Sequence, residues 1–165
     1  MRYGPVLAAF AALGVAACSQ AQDAGSGTAA APASAPEAPT LSDAEKQAIL
    51  ASYPAPYNTA DLANGEAKFA LCRSCHTIAP GGANMTGPNL HGVFGKAAAA
   101  NPDYKYSDAL KASGITWDAN QLYQWLANPK TFMPGTKMTF AGLNDSKDRI
   151  DLIGWLMVET GHKAK

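Results

Sequence analysis

The sequence predicts an all-α domain with long loops, and three observations carry that reading. No stretch alternates apolar and polar residues as a half-buried strand does. Several segments begin with Ser, Thr or Asp ahead of helical apolar spacing and stop at Gly or Pro. Between them, residues 78–101 hold Gly81-Gly82, Gly87-Pro88, Gly92 and Gly95, and read as one long irregular connection. A compact domain rarely carries such a loop unless something else organises it. A large planar apolar cofactor would do so, because loops can pack on it instead of on helices.

Ser42-Asp43-Ala44-Glu45 is a capping-box pattern and predicts a helix to about Ser52, broken by Tyr53-Pro54-Ala55-Pro56. A second helix starts near Thr59 or Asp61, with Leu62, Ala63, Ala67, Phe69 and Ala70 toward one side. A short helix spans Ser107 to Ala112 and closes at Gly114. Thr116 is the expected cap of a helix through Ala127, with Leu122, Trp125 and Leu126 inward and Pro129 after its end. The last helix runs from Asp145 or Ser146 to Thr160, with Gly161 as its stop and Ile150, Ile153, Trp155, Leu156 and Met157 as core candidates.

The start of the chain reads differently. Arg2 precedes an almost unbroken apolar run from Val6 to Ala17. Twelve residues make about 18 Å of helix, short of a hydrocarbon core of about 30 Å. That is the length of a signal-peptide core. Val15-Ala16-Ala17-Cys18 resembles a bacterial lipoprotein box, which implies cleavage before Cys18 and its acylation. Ordinary cleavage after Ala17 and an uncleaved short anchor are the alternatives. Ser19 stands where an aspartate often marks inner-membrane retention, so either membrane is open. Residues up to about Leu41 are rich in Ala, Pro, Ser and Gly and read as a tether. As a flexible coil, those residues would average about 25–30 Å end to end, and about 70 Å if PPII-like. The expected organisation is a signal peptide at 1–17, the lipidated Cys18 and tether at 18–41, a short helix with a Pro-rich connection at 42–56, and one domain at 57–165.

The 165 residues balance 13 Lys+Arg against 13 Asp+Glu, so no basic footprint points to nucleic acid. From Tyr57 onward there are 11 basic and 9 acidic residues. Docking to a strongly acidic partner by net charge alone is not indicated. The 3 cysteines do not suggest a disulfide framework, since Cys18 ends the apolar run and Cys72 and Cys75 form one local motif.

Cys72-Arg73-Ser74-Cys75-His76 is the CxxCH signature of covalent c-type haem attachment. On a helical turn, residues three apart share a side, so both thiols can reach the vinyl groups of one porphyrin while the next residue aims its imidazole at the iron. A thiol–disulfide site lacks its βαβ surroundings here, and a zinc site lacks a second cysteine pair. Candidates for the other axial position are Met85, Met133, Met138, Met157, His91 and His162. Met157 reads as core, His162 lies in the tail, and Met85 has little chain with which to reach the opposite haem face. Met133 and Met138 remain, in one Pro/Gly-rich loop.

Asn128-Pro129-Lys130-Thr131-Phe132-Met133-Pro134-Gly135-Thr136-Lys137-Met138 closely resembles the methionine-ligand loop of class I cytochromes c. Thr86-Gly87-Pro88-Asn89-Leu90-His91-Gly92 and Gly114-Ile115-Thr116-Trp117 fall at the distances of the mitochondrial and alphaproteobacterial branch, and the likeness covers most of residues 61–161. The resemblance implies one haem c with His76 and Met138 axial, and Met133 at an apolar position. It implies that the Pro88 carbonyl orients His76, that Tyr106 and Trp117 bond a propionate, and that Thr136 lines that side. Trp125 replaces a tyrosine, which implies a shifted potential or a weaker iron–sulfur bond. Lys96 replaces an arginine near a propionate, and His91 resembles a loop-pinning histidine. Gly65 and Phe69 match positions that cross the last helix at Leu152 and Trp155.

The implied function is a monomeric one-electron carrier, not an enzyme, shuttling between a cytochrome bc complex and a terminal oxidase or other periplasmic acceptor. Lys130 and Lys137 would ring its docking face. A haem peroxidase or sensor with a labile sixth ligand, and a fixed electron-entry subunit of a larger oxidoreductase, are the alternatives.

Overall fold

The computed structural model describes residues 41–161. The expected signal peptide, Cys18, the tether and His162 lie outside the described residues. Among the described residues six helices follow in order: α1 Asp43–Ala51, α2 Leu62–Phe69, α3 Asp108–Ala112, α4 Ala119–Ala127, α5 Pro129–Phe132 and α6 Ser146–Glu159, with a 3₁₀ turn at Tyr57–Thr59. Among the described residues the only β-type pairing is one antiparallel bridge, Ala97 with Thr116. The all-α expectation holds. No helix among the described residues is long and apolar enough to cross a membrane.

The caps follow local chemistry. Ser42 and Glu45 close a reciprocal capping box on α1, with the Ser42 N–H donating to Glu45 at 2.8 Å. Asp61 accepts from the N–H groups of Ala63 and Asn64 at 3.0 Å each, and Asp145 caps α6. On α2 the buried face differs from the expected one. Gly65 and Phe69 are buried, Leu62 is half-buried, and Ala63, Ala67 and Ala70 are exposed. Residues 62, 65 and 69 form the stripe that meets α6, and Gly65 lets the two backbones touch. Phe69 then stacks on Trp155 at 4.9 Å between centroids, so the Gly65/Phe69 crossing expected with α6 is present.

α6 is the central element. Every residue from Asp151 to Val158 is buried on it. α1, α2 and α4 all pack on it, and Gly154 makes room beside α1: a Cβ there would come within 2.5 Å of the Ala60 Cβ and 3.3 Å of Leu50. Tyr53 donates to the Met157 carbonyl at 3.2 Å, and Lys46 pairs with Glu159 at 2.6 Å.

α4 starts two residues later than expected. Asp118, not Thr116, caps it, with the Gln121 N–H donating at 2.7 Å. Thr116 and Trp117 are drawn into pairing with the preceding loop: Trp117 N–H donates to the Lys96 carbonyl at 2.9 Å and Gly95 N–H to the Trp117 carbonyl at 2.7 Å. The chain after α4 does not simply stop at Pro129. Asn128 caps the separate turn α5, with Pro129 at its first position, where no N–H is needed. Arg149, buried on α6, donates to the Leu143 and Asn144 carbonyls and to the Tyr123 hydroxyl, and so ties the returning loop to the core.

Asp151 joins α2 to α6. It is 2 % exposed and accepts from the Asp61 N–H at 3.0 Å, from Asn64 Nδ2 at 2.7 Å and from Lys147. Burial pushes its carboxyl pKa up, but Lys147, Asn64 and the Asp61 N–H outweigh burial and hold it below the ordinary value. A depressed folded pKa gives stability above the unfolded pKa that is lost as pH falls through the folded one. Asp151→Ala is therefore expected to cost roughly 2–3 kcal/mol near neutrality, because the Asp61 N–H and the Asn64 amide lose a buried acceptor while the exposed Lys147 turns to water. Urea melts of both proteins from neutral pH down through the ordinary aspartate pKa are the check. A gap between them that does not narrow on acidification refutes the assignment.

Candidate haem-binding site

One cavity of about 690 Å³ opens among the loops, walled by Leu122, Leu126, Phe140, Leu152 and Leu156 on its apolar side. That size and apolar character suit a bound organic group. The sequence-singled residues converge on it. Cys72, Cys75 and His76 line one wall, because the turn after α2 continues its winding: Cys72 N–H donates to the Phe69 carbonyl at 2.8 Å, and His76 N–H to the Cys72 carbonyl at 3.0 Å.

His76 is held from behind. Its Nδ1 lies 2.7 Å from the Pro88 carbonyl, which can only accept, so Nδ1 carries the proton and Nε2 keeps its lone pair. Gly87 lies against the ring, and a Cβ there would sit 2.7 Å from both ring nitrogens. Burial lowers the imidazole pKa, with the Pro88 bond opposing, so the neutral form is favoured. Burial likewise pushes the Cys72 thiol up to about 11, with the Cys75 thiol adding to it. A thiol–disulfide exchange site needs the reverse, a thiol lowered toward neutrality.

Of the four methionines among the described residues, Met138 alone lines the cavity. Met133 and Met157 are buried in the core, and Met85 stands exposed. The Met138 N–H donates to Thr136 Oγ1 at 3.2 Å, which shapes the last turn of the loop. Pro88, Lys96, Tyr106, Trp117, Trp125 and Thr136 all line the cavity as well. Trp125 packs edge-on to Trp117 at 5.3 Å and to Phe132 at 5.9 Å. Burial raises the Tyr106 pKa, so its hydroxyl stays protonated at neutral pH and can donate.

Two expectations change in detail. The His91 loop is pinned through backbone, not through the ring: its N–H donates to Asn89 Oδ1 at 2.9 Å and its carbonyl accepts Lys96 Nζ at 3.3 Å. The His91 Nδ1 is buried without a partner. Lys137 Nζ donates inward to the Lys105 and Tyr106 carbonyls at 2.9 and 3.3 Å, while Lys130 is exposed on α5 and does not reach the cavity.

Sequence reasoning missed the polar lattice that shapes the long loop. Asn84 Oδ1 accepts from the Asn89 N–H at 2.9 Å and from Asn101 at 3.0 Å, and Asn89 donates to Thr77 at 2.6 Å. Tyr104 was missed too. It donates to the Thr86 carbonyl and packs edge-on to Tyr106 at 4.7 Å. Three asparagines within 18 residues, Asn84, Asn89 and Asn101, were the available signal.

No family model matches the chain. A cytochrome c from Stellaria longipes is 48% identical over 89 residues, covering 54% of this chain and 82% of that protein. The chain belongs to the class I cytochrome c family. A cytochrome c2 from Rhodomicrobium vannielii is 42% identical over 105 residues, covering 64% of this chain and 84% of that protein. The solved structure of cytochrome cH from Methylobacterium extorquens is 48% identical with a TM-score of 0.54, covering 58% of this chain and 96% of that one. Membership makes this chain a haem-based electron-transfer protein, not an enzyme, with one covalently bound haem c. The cavity fits that group: two cysteines three apart, a neutral buried imidazole and apolar walls meet in one space.

Proposed function

We propose that this cytochrome c is a closed-site one-electron carrier, attached to haem through Cys72 and Cys75 with His76 and Met138 as axial ligands. The observation that carries the reading is that Met138 is the one methionine among the described residues at the cavity, with His76 fixed there by Pro88. When bound, the haem supplies a one-electron ferric/ferrous couple. The protein residues keep that change small. The Pro88 carbonyl orients His76 and raises its basicity. The Thr136 hydroxyl shapes the backbone that presents Met138. Tyr106, Trp117 and Lys96 would hold a haem propionate, and Trp125 shares the cavity lining with Met138. With both axial positions filled by side chains, exchange of small ligands is disfavoured.

The physiological reading is a shuttle from a cytochrome bc complex to a terminal oxidase or another periplasmic acceptor. Acylation of Cys18 would hold it at the periplasmic side of a bacterial membrane, with residues up to 41 as tether. Lys130, exposed on α5, and Lys137, on the loop that bears Met138, would belong to the face a partner meets.

The ligand assignment has a direct test in visible spectra of the oxidised holoprotein. The weak far-red sulfur–iron band is expected in the parent and in Met133→Ala, and is expected to vanish in Met138→Ala, with a lowered potential. A parent lacking the band and showing a high-spin spectrum would overturn the closed site.

A further inference from the structure

α6 is buried on two faces, and only one of them looks into the cavity. Leu152 and Leu156 are its residues in the cavity wall. At about 100° per residue, Gly154 stands about 200° around the helix from each of them. There α6 meets Leu50 of α1, Tyr57 and Ala60. Leu50, Tyr53, Tyr57, Ala60 and Met157 are all buried, and no residue from 41 to 60 lines the cavity.

The bonds on that far face close without the cavity as well. Tyr53 reaches the Met157 carbonyl, and Lys46 reaches Glu159. The Glu159 carboxylate raises the Lys46 pKa against a small desolvation, and Glu66 on α2 and Asp43 add to it. One lysine of α1 thus sits among carboxylates of α1, α2 and α6. α2 meets α6 through Gly65 and through the bonds of Asp61 and Asn64 to Asp151, and Phe69 is its one residue in the cavity wall. With 8 residues, α2 is too short to keep its winding alone in water.

We propose that α1, the Tyr57 turn, α2 and α6 close on one another before haem is attached, and that α1 thereby positions the Cys72–His76 turn for attachment. These elements bury apolar area against each other, not against the cofactor. The chain joining α2 to α6 is long, but closure entropy rises only with the logarithm of its length. The cysteine turn winds on from α2, since the Cys72 N–H is bonded to the Phe69 carbonyl. A wound α2 therefore keeps both thiols at the spacing that reaches two vinyl groups of one haem. In each attachment a thiol adds across a vinyl double bond: sulfur bonds one carbon, the thiol hydrogen goes to the other, and nothing leaves. The likeness to class I cytochromes c covers most of residues 61–161, and α1 stands ahead of it. The proposal rests on attachment at Cys72 and Cys75.

Two measurements test it. The first is hydrogen exchange on the full-length chain made without the c-haem attachment machinery, its thiols kept reduced. Amides within α6 are expected to exchange at least about tenfold more slowly than those of the cavity loops, such as Ala98, whose N–H is bonded to the Ile115 carbonyl. The second is covalent haem per chain when that machinery is present. Lys46→Glu, which sets like charge against Glu159, Glu66 and Asp43, is expected to abolish the protection and to lower attached haem about threefold. Exchanging the pair, Lys46→Glu with Glu159→Lys, is expected to restore most of both. Gly154→Val, which drives a side chain into Ala60, is expected to lower attached haem about tenfold. Asp118→Ala removes the cap of α4 and is expected to lower the melting midpoint of the holoprotein while leaving exchange and haem content parental. Unprotected α6 amides in the haem-free parent, a charge exchange that restores nothing, or an Asp118→Ala loss equal to that of Lys46→Glu overturns the proposal. A parent with full haem content but no protection sinks the preformed unit alone. A parent that takes up no covalent haem sinks the attachment at Cys72 and Cys75, and the role of α1 with it.

Discussion

Gly65→Val is expected to cost at least about 3 kcal/mol and to weaken haem attachment with it. A Cβ at Gly65 would run into the Asp151 carbonyl oxygen and come within 2.6 Å of the Trp155 Cβ. Neither obstacle is the mobile end of a side chain, so α2 and α6 must separate. That movement strains the Phe69–Trp155 contact and the bonds from Asp61 and Asn64 to Asp151. It also carries the haem wall, because the Cys72 N–H hangs on the Phe69 carbonyl at the end of α2. Denaturant melts of the holoprotein should show a lower midpoint at unchanged slope. Gly81→Ala supplies the contrast. Gly81 has φ of +67° and nothing near its Cβ position, so it should cost only the backbone preference, roughly 1 kcal/mol. Equal costs at the two sites would show that the α2–α6 crossing is not the constraint.

The same two helices show what a sequence tells and what it withholds. Caps are local, so Ser42 with Glu45, Ser107 and Asp145 were readable from neighbours in the chain. The CxxCH turn is local as well, and its residues face one cavity as the spacing requires. The buried face of α2 is not local. Alanines are compatible with either side of a helix, and only the approach of α6 selects Gly65 and Phe69. Thr116 is a reasonable cap by itself, but pairing with Ala97 claims it and leaves the task to Asp118. Lys137 reads from sequence as a free surface charge, because the carbonyls that hold it come from residues 105 and 106. For the asparagine lattice of the long loop the clustered asparagines were a signal, but their partners were not readable, for the same reason. Each bond in it joins residues whose proximity the fold creates. For the cavity itself, the choice between Met133 and Met138 was open on residue chemistry and was narrowed by resemblance. The structure places the two differently, Met133 in the core and Met138 on the cavity wall.

The wall behind His76 gives the sharpest dependence of the site on one residue. Gly87→Val is expected to reduce the yield of holoprotein about tenfold or more, and to leave what does form with a disturbed axial environment. The added Cβ would collide with His76 Cε1 and lie 2.7 Å from Nδ1 and Nε2, so the imidazole face has no room for any side chain. The ring cannot yield without loosening its 2.7 Å bond to the Pro88 carbonyl, and that bond keeps the proton on Nδ1. Nor can Gly87 withdraw freely. Its N–H is bonded to the Cys75 carbonyl, its carbonyl accepts from Met85, and the next residue is the proline that holds the ring. Position and tautomer of the imidazole therefore fail together. Expression with the c-haem attachment machinery, followed by haem-to-protein ratio and the oxidised spectrum, reads both effects. A Gly87→Val protein with parental haem content and an unchanged spectrum would mean that His76 is not held by this wall, and the assignment of Pro88 as its orienting partner would fall with it.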